Sequence, residues 1–162
     1  MSGDTAAVEQ LYRTHGHVVL RRARTLLGSD VEAHEALQDI FAGLLRAPMA
    51  LRAPGSVVAF LYQATTHFCL NQLRNRRTGL RLLDRHVRPA QASTEAPRGE
   101  ALAAVRQLLS RLPEPLAAVL VYHHVDGMTQ EEISTVLGCS RRQVGYLLER
   151  AHASLQSEER SA

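Results

Sequence analysis

The chain has 162 residues, 45% hydrophobic and 22% charged, which is the composition of a folded globular protein rather than a disordered one. The two cysteines, Cys69 and Cys139, lie far apart in the sequence, which excludes a disulfide framework and a four-cysteine zinc site. The longest apolar run, residues 116–122, is much shorter than the roughly 20 residues that cross a bilayer. Since the N-terminus has no signal-peptide pattern, a soluble cytoplasmic protein is expected.

Positive charge is concentrated in one part of the chain. All 19 basic residues are arginines, and residues 51–90 carry seven of them against one acidic residue, whereas the remaining segments are close to neutral. Because the planar guanidinium group suits phosphate, this segment indicates a polyanionic partner. A solvated helix face followed by a basic linker is the alternative explanation.

Apolar residues recur at helical spacing through the first 78 residues. A first helix is predicted to end at Leu27, where residues 28–30 supply a stop and an N-cap for the next helix. The second helix is expected over residues 30–46 and the third over residues 56–77. No segment alternates with the period of two that is typical of strands. The fold class is therefore predicted to be all-α.

The helical pattern is lost after this third helix. Residues 87–99 contain two prolines and a glycine and few large apolar residues, which is typical of a flexible linker. Periodicity resumes at about Glu100. The sequence therefore predicts two small helical domains, residues 1–78 and 100–158, joined by a linker over residues 79–99.

The most specific motif lies in the second domain. Thr129 is expected to cap one helix, with Glu132 completing a capping box, and Gly138 and Ser140 to form the turn and the cap of a second helix. Two short helices joined by such a turn are typical of a helix-turn-helix, whose second helix enters the major groove of DNA. A helical hairpin with no DNA role is the alternative. The polar residues at the start of the second helix are Arg141, Arg142, Gln143 and Tyr146.

Four stretches, in the family's order, resemble the extracytoplasmic-function (group IV) sigma factors of the sigma-70 class. Residues 11–16 and 22–28 look like the opening helices of the family, and residues 32–41 (EAHEALQDIF) are similar to its acidic motif. Residues 60–77 resemble the helix that carries its W-L-Y-R-I-A and D-x-L-R-R-R motifs. Residues 112–155 resemble its fourth conserved region, so the likeness covers nearly the whole chain outside the linker.

The resemblance implies a promoter-specificity subunit of bacterial RNA polymerase, with no enzymatic activity, cofactor or metal. Such a subunit is a monomer when free; it binds core polymerase and promoter DNA and directs promoter recognition, DNA melting and initiation. The first domain would be region 2-like and would dock on the clamp helices of the largest subunit. The residues expected at that contact are Glu35, Gln38 and Asp39.

The resemblance also assigns the two DNA contacts. The third helix would hold the melted minus-ten element with Gln63, Thr66, His67, Asn71, Arg74, Asn75, Arg76 and Arg77, and Arg81 would grip phosphate beside them. The region 4-like domain would contact the polymerase flap and read the minus-thirty-five element. The residues implied for that element are Ser140, Arg141, Arg142, Gln143, Tyr146 and Arg150.

One departure from the family lies in the recognition helix. The family commonly has a basic residue, a serine and an arginine where this chain has Gly145, Tyr146 and Leu147. We hypothesise that Arg141 and Arg142 move the phosphate or guanine contact one turn earlier. Weakened recognition of this element is the alternative.

Other functional classes stay open at the level of sequence. An ordinary helix-turn-helix regulator, or a sigma-like protein that binds polymerase without initiating, would explain the second domain as well. Whether an anti-sigma factor is a further partner is also open. A metal site at His123, His124 and Asp126 is not expected, because adjacent residues of a helix point about 100° apart.

Overall fold

The structure is a computed structural model, which describes residues 2–48, 50, 56–82 and 96–161. These residues form seven α-helices and no strand, which confirms the predicted all-α fold. The helices are α1 (Ser2–Leu27), α2 (Asp30–Arg46), α3 (Val57–Leu82), α4 (Ala96–Arg111), α5 (Glu114–Leu120), α6 (Gln130–Leu137) and α7 (Arg141–Ser161).

Helices α1, α2 and α3 form a three-helix bundle. Ser29 caps α2, since its hydroxyl accepts a hydrogen bond from the Glu32 amide, and Gly28 before it has a φ of 69°, a conformation that favours glycine. Apolar residues at helical spacing then put one side of α2 into the bundle. The buried residues of that side are Ala33, Ala36, Leu37, Ile40, Phe41 and Leu44.

The bounds of α3 and α4 differ from the sequence prediction. Residues 79–82 continue α3 and residues 96–99 begin α4, so both ends of the predicted linker are helical. The first four contain no proline, and Pro97 lies in the first turn of α4, where a missing amide proton breaks no helical hydrogen bond. Residues 83–95 lie outside the described residues, and the division into two domains stays a prediction.

The helix-turn-helix is built as the sequence predicts. Thr129 and Glu132 form a capping box at the start of α6. Gly138 ends α6 with a φ of 69°, and the Ser140 hydroxyl accepts a hydrogen bond from the Gln143 amide at the start of α7. The two helices share a buried apolar face. Its members are Ile133, Val144, Leu148 and Ala151.

The two halves of the chain share one apolar core. Cys69, Leu70 and Leu73 of α3 belong to the same buried cluster as Leu112, which lies just after α4, and Leu116 of α5. Cys69 is completely buried, and this burial raises the pKa of its thiol to about 12. Cys69 is therefore an unreactive core residue. The shared cluster also shows that α3, which belongs to the first half, packs against the second half.

The capping box yields the first prediction. We expect Thr129→Ala to lower the free energy of unfolding by about 1 kcal/mol, because the Glu132 amide loses its acceptor. The matched control is Thr135→Ala, which removes the same group from the exposed middle of α6 and should change stability by less than about 0.5 kcal/mol. Urea unfolding measures both, and equal losses would show that the cap does not stabilise the motif.

Candidate nucleic-acid interface

The first turn of α7 presents an exposed polar surface. Arg141, Arg142 and Gln143 are exposed there, whereas Val144 is completely buried against α6. Two guanidinium groups at a helix N-terminus can bind phosphate or the acceptor edge of a guanine. Arg141, Arg142 and Gln143 are therefore accessible at the start of α7.

The next turn of α7 contains the residues that depart from the family pattern, Gly145, Tyr146 and Leu147. Tyr146 is 52% exposed, and the Arg150 guanidinium lies 5.8 Å from the centroid of its ring. Leu147 is partly buried against the core, so it faces away from the exposed surface. At Gly145 an added Cβ would lie 3.3 Å from Oε1 of Gln130, the end of a flexible side chain at the start of α6.

The acidic side of α2 is a second exposed surface. Glu35, Gln38 and Asp39 are all exposed, and they lie on the side of the helix opposite Ala36 and Ile40, which are buried in the bundle. The three residues predicted to contact polymerase therefore share one face.

A polar stripe runs along α3. Its spacing of three to four residues puts the side chains on one side of the helix. The exposed members are Gln63, His67, Asn71, Arg74 and Asn75. Amide groups beside cationic groups can hydrogen-bond a splayed base and hold its phosphate. Five of the eight residues predicted for the minus-ten element thus lie together.

Thr66 does not belong to this stripe, and its prediction as an exposed contact is corrected. Its side chain is 1% exposed, because a position one residue before His67 is turned about 100° around the helix, towards α1. The hydroxyl accepts hydrogen bonds from Nε and Nη2 of Arg22, at 2.9 and 2.7 Å, and donates to the Tyr62 carbonyl. Thr66 is a buried structural residue.

Arg76 and Arg77 are half-buried rather than exposed. The Arg76 guanidinium pairs with Glu32 and donates a 3.0 Å hydrogen bond to the Leu27 carbonyl at the end of α1. Burial, and then the charge of Arg106, lowers the pKa of Arg76. Arg76 thus links α3 to the end of α1 and to the start of α2. The side chain of Arg81 lies outside the described residues.

Arg22 of α1 is the polar residue that sequence reasoning missed. Only 8% of its side chain is exposed, and its guanidinium binds both carboxylate oxygens of Asp126, at 2.7 and 2.9 Å, across the two halves of the chain. It also lies 3.6 Å from the centroid of the Tyr62 ring. Helical spacing puts Arg22 on the inner side of α1. This spacing was the sequence signal that could have identified Arg22 as a buried residue.

Three histidines cluster beside the helix-turn-helix. His124 Nε2 lies 2.9 Å from His152 Nε2, and the His123 ring packs edge-on against that of His124. Partial burial, followed by the charges of both neighbours, lowers the pKa of His124 below 6.5. Among the described residues, no group of three or more His, Cys, Asp or Glu side chains is arranged to hold a metal ion.

Family comparisons agree with this geometry. The family described as sigma-70 region 2 matches residues 11–78, and that described as sigma-70, region 4 matches residues 102–155. The ECF RNA polymerase sigma factor SigM of Mycobacterium tuberculosis is 28% identical over 155 residues, which are 96% of this chain and 78% of SigM. SigE of Mycolicibacterium smegmatis is 27% identical over 96% of this chain and 62% of SigE.

Solved structures are similar as well. CnrH in complex with the cytosolic domain of CnrY has 27% identity and a TM-score of 0.53, over 99% of this chain and 92% of CnrH. The sigma factor RpoE of Bartonella quintana, in complex with the anti-sigma factor NepR, has 16% identity and a TM-score of 0.52, which supports the fold. The aligned residues cover 92% of this chain and 94% of RpoE.

The chain belongs to the sigma-70 family, since profiles of two of its conserved regions match most of the sequence in the family's order. Within that family it is a sigma factor of the extracytoplasmic-function (ECF) type. No helix in the described ranges is long and apolar enough to cross a membrane.

The histidine cluster gives a pH prediction. Because the folded pKa of His124 lies below its unfolded value of 6.5, the unfolded state binds more protons, and stability falls as pH drops through 6.5. We expect an NMR titration to place the pKa of His124 below 6.5 and His152→Ala to raise it. His17→Ala, an exposed histidine of α1, is the control and should leave it unchanged. A pKa of His124 above 6.5 would contradict the cluster geometry.

Proposed function

We propose that this ECF sigma factor is a group IV promoter-specificity subunit that works in the cytoplasm. Its residues 1–78 act as the region 2-like domain and residues 100–158 as the region 4-like domain. The observation that carries the proposal is the capped helix-turn-helix, whose second helix exposes two arginines and a glutamine in its first turn. Such a turn fits a DNA major groove.

The polar stripe of α3 supports a second DNA contact. We assign the melted minus-ten strand to Gln63, His67, Asn71, Arg74 and Asn75, because their exposed amides and charges lie along one line. Stacking and hydrogen bonding to splayed bases need such an open polar surface. Arg76 and Arg77 are half-buried and lie off this line, so a phosphate contact by either of them requires its side chain to turn outward.

The acidic face of α2 is assigned to core polymerase, with Glu35, Gln38 and Asp39 against the clamp helices. An ordinary regulator would use its first domain as a sensor or a dimer seam. This chain instead places an acidic exposed helix beside a helix with a polar stripe, which favours the sigma arrangement. An anti-sigma factor is a further proposed partner, since RpoE, which shares the fold, was solved bound to one.

The polymerase contact can be tested by binding. We expect Gln38→Ala/Asp39→Ala to weaken the one-to-one complex with bacterial core polymerase by about tenfold, as for a central interface contact. Native mass spectrometry and competition binding measure the complex. The control is Glu9→Ala/Gln10→Ala, a pair of the same chemistry exposed on α1.

Two outcomes would count against the polymerase assignment. Equal binding of core polymerase by both double variants would exclude the α2 face as the polymerase contact. A dimer that binds duplex DNA by itself and ignores core polymerase would favour the ordinary regulator.

The recognition helix is tested by salt dependence. If Arg142 holds a phosphate, Arg142→Ala in the holoenzyme should reduce the slope of log K against log salt by about 1. If it reads a guanine, the variant should cost about 1–3 kcal/mol at one base pair. Arg160→Ala, an exposed arginine at the far end of α7, is the control and should change neither. An unchanged affinity and slope for Arg142→Ala would show that Arg142 does not replace the family's contacts.

A further inference from the structure

Tyr146 lies at the centre of the exposed side of α7. Val144 precedes it by two residues and Leu148 follows it by two, so each of them is about 160° away from Tyr146 around the helix. Val144 and Leu148 are buried in the core, with 0% and 5% of their surface exposed. Tyr146 therefore points almost directly away from the core, towards the side on which a recognition helix meets DNA.

Charged side chains surround this ring. Arg142 lies one turn before Tyr146 and Arg150 one turn after it, each about 40° away around the helix, and Glu149 lies about 60° away. All three are exposed. The carboxylate of Glu149 disfavours a phosphate group close to the ring, whereas the two arginines can reach phosphates further along the helix. The position of the ring therefore suits a base edge better than the DNA backbone.

The ring is also the one apolar group that this surface offers. Among the described residues of α6 and α7, Tyr146 is the only large apolar side chain that is exposed. The Arg150 guanidinium lies 5.8 Å from the centroid of its ring, within the range of a cation–π contact. This contact restrains the ring, so less side-chain entropy is lost when the ring becomes buried in a complex.

An apolar side chain on a recognition helix favours one base over the others. In the major groove thymine presents a 5-methyl group, which the other three bases lack, and an apolar group recognises it by direct contact. The arginines and the glutamine of the first turn of α7 instead suit the hydrogen-bonding edges of guanine and adenine. Thymine is therefore the base that Tyr146 fits and its polar neighbours do not.

We propose that Tyr146 recognises a thymine of the minus-thirty-five element through the 5-methyl group of that base, with Arg150 holding the ring in position. The inference rests on the role of α7 proposed above and adds the base that one side chain selects. Uracil differs from thymine only by the missing methyl group. Because burial of one such group is the whole difference, we expect about a fourfold preference for thymine over uracil.

The first experiment locates the thymine. A holoenzyme formed from bacterial core polymerase and this chain selects from a pool of duplex promoter fragments that are randomised at both promoter elements, and the bound fragments are sequenced. We expect at least one position of the upstream element to be enriched in thymine. Tyr146→Ser removes the ring, so it should lose this enrichment and keep the preferences at other positions. The matched control is Tyr12→Ser, an exposed tyrosine of α1, which should keep them all.

The second experiment removes the methyl group alone. Deoxyuridine replaces the thymidine at the selected position, and competition binding gives the dissociation constant of each fragment for the holoenzyme. The ratio of uracil to thymine constants should be about 4 for the parent chain and for Tyr146→Phe, which keeps the ring, and about 1 for Tyr146→Ser. Arg150→Gln should give a ratio between these values. Loss of a phosphate contact alone would weaken both fragments equally and leave the ratio unchanged.

The outcomes separate this proposal from the proposed function. No base preference anywhere in the upstream element would reject the reading role of α7, and the role of Tyr146 with it. Preferences that Tyr146→Ser leaves unchanged would keep the reading role and overturn the recognition of thymine by Tyr146.

Two further results would also count against the proposal. A ratio of about 1 for the parent chain, with weaker binding of both fragments by Tyr146→Phe, would show that the tyrosine hydroxyl binds a phosphate instead. An unchanged ratio for Arg150→Gln would reject the positioning role of Arg150.

Discussion

The burial of the Arg22 guanidinium constrains how the two halves of the chain are arranged. A guanidinium group inside a protein must find partners for its five N–H donors, or its desolvation is not compensated. The Arg22 guanidinium makes four such hydrogen bonds, two to the Thr66 hydroxyl and two to the Asp126 carboxylate, and the Tyr62 ring covers its face. Because the partners come from α3 and from the turn before α6, three segments far apart in sequence must meet at one point.

The backbone before α6 is shaped to supply that carboxylate. Residues 121–125 form a π-helical turn, in which the Asp126 amide bonds to the Val121 carbonyl five residues earlier. Gly127 follows with a φ of 66°, and the Met128 amide returns to the Tyr122 carbonyl. The same few residues therefore direct Asp126 towards Arg22 and set the starting point of the helix-turn-helix. The position of the DNA-reading unit is thus coupled to the ion pair through the backbone.

Local sequence signals made the helix caps and the turn predictable. The contacts between residues far apart in the sequence could not be predicted in this way. The caps at Ser29, Thr129 and Ser140 and the turn at Gly138 depend on neighbouring residues, and the sequence predicted each of them. The pairing of Arg22 with Asp126 joins residues 104 positions apart, and no local pattern selects one acidic residue among several. Thr66 was misplaced for the same reason, since a helical threonine is equally compatible with an exposed surface until its partner is known.

Helix α3 carries two kinds of polar side chain, and the proposed DNA role assigns a different task to each. In the proposed DNA role, the arginines of this helix supply attraction to phosphate, although Arg74 and Arg76 are hydrogen-bonded to the backbone carbonyls of Leu112 and Leu27. The amides of Asn71 and Asn75 are exposed, and in the same proposal they supply the directional hydrogen bonds that distinguish bases. The proposal therefore divides the polar residues of this helix by their chemistry, because the arginines would set the affinity for DNA while the exposed amides would set the preference for sequence.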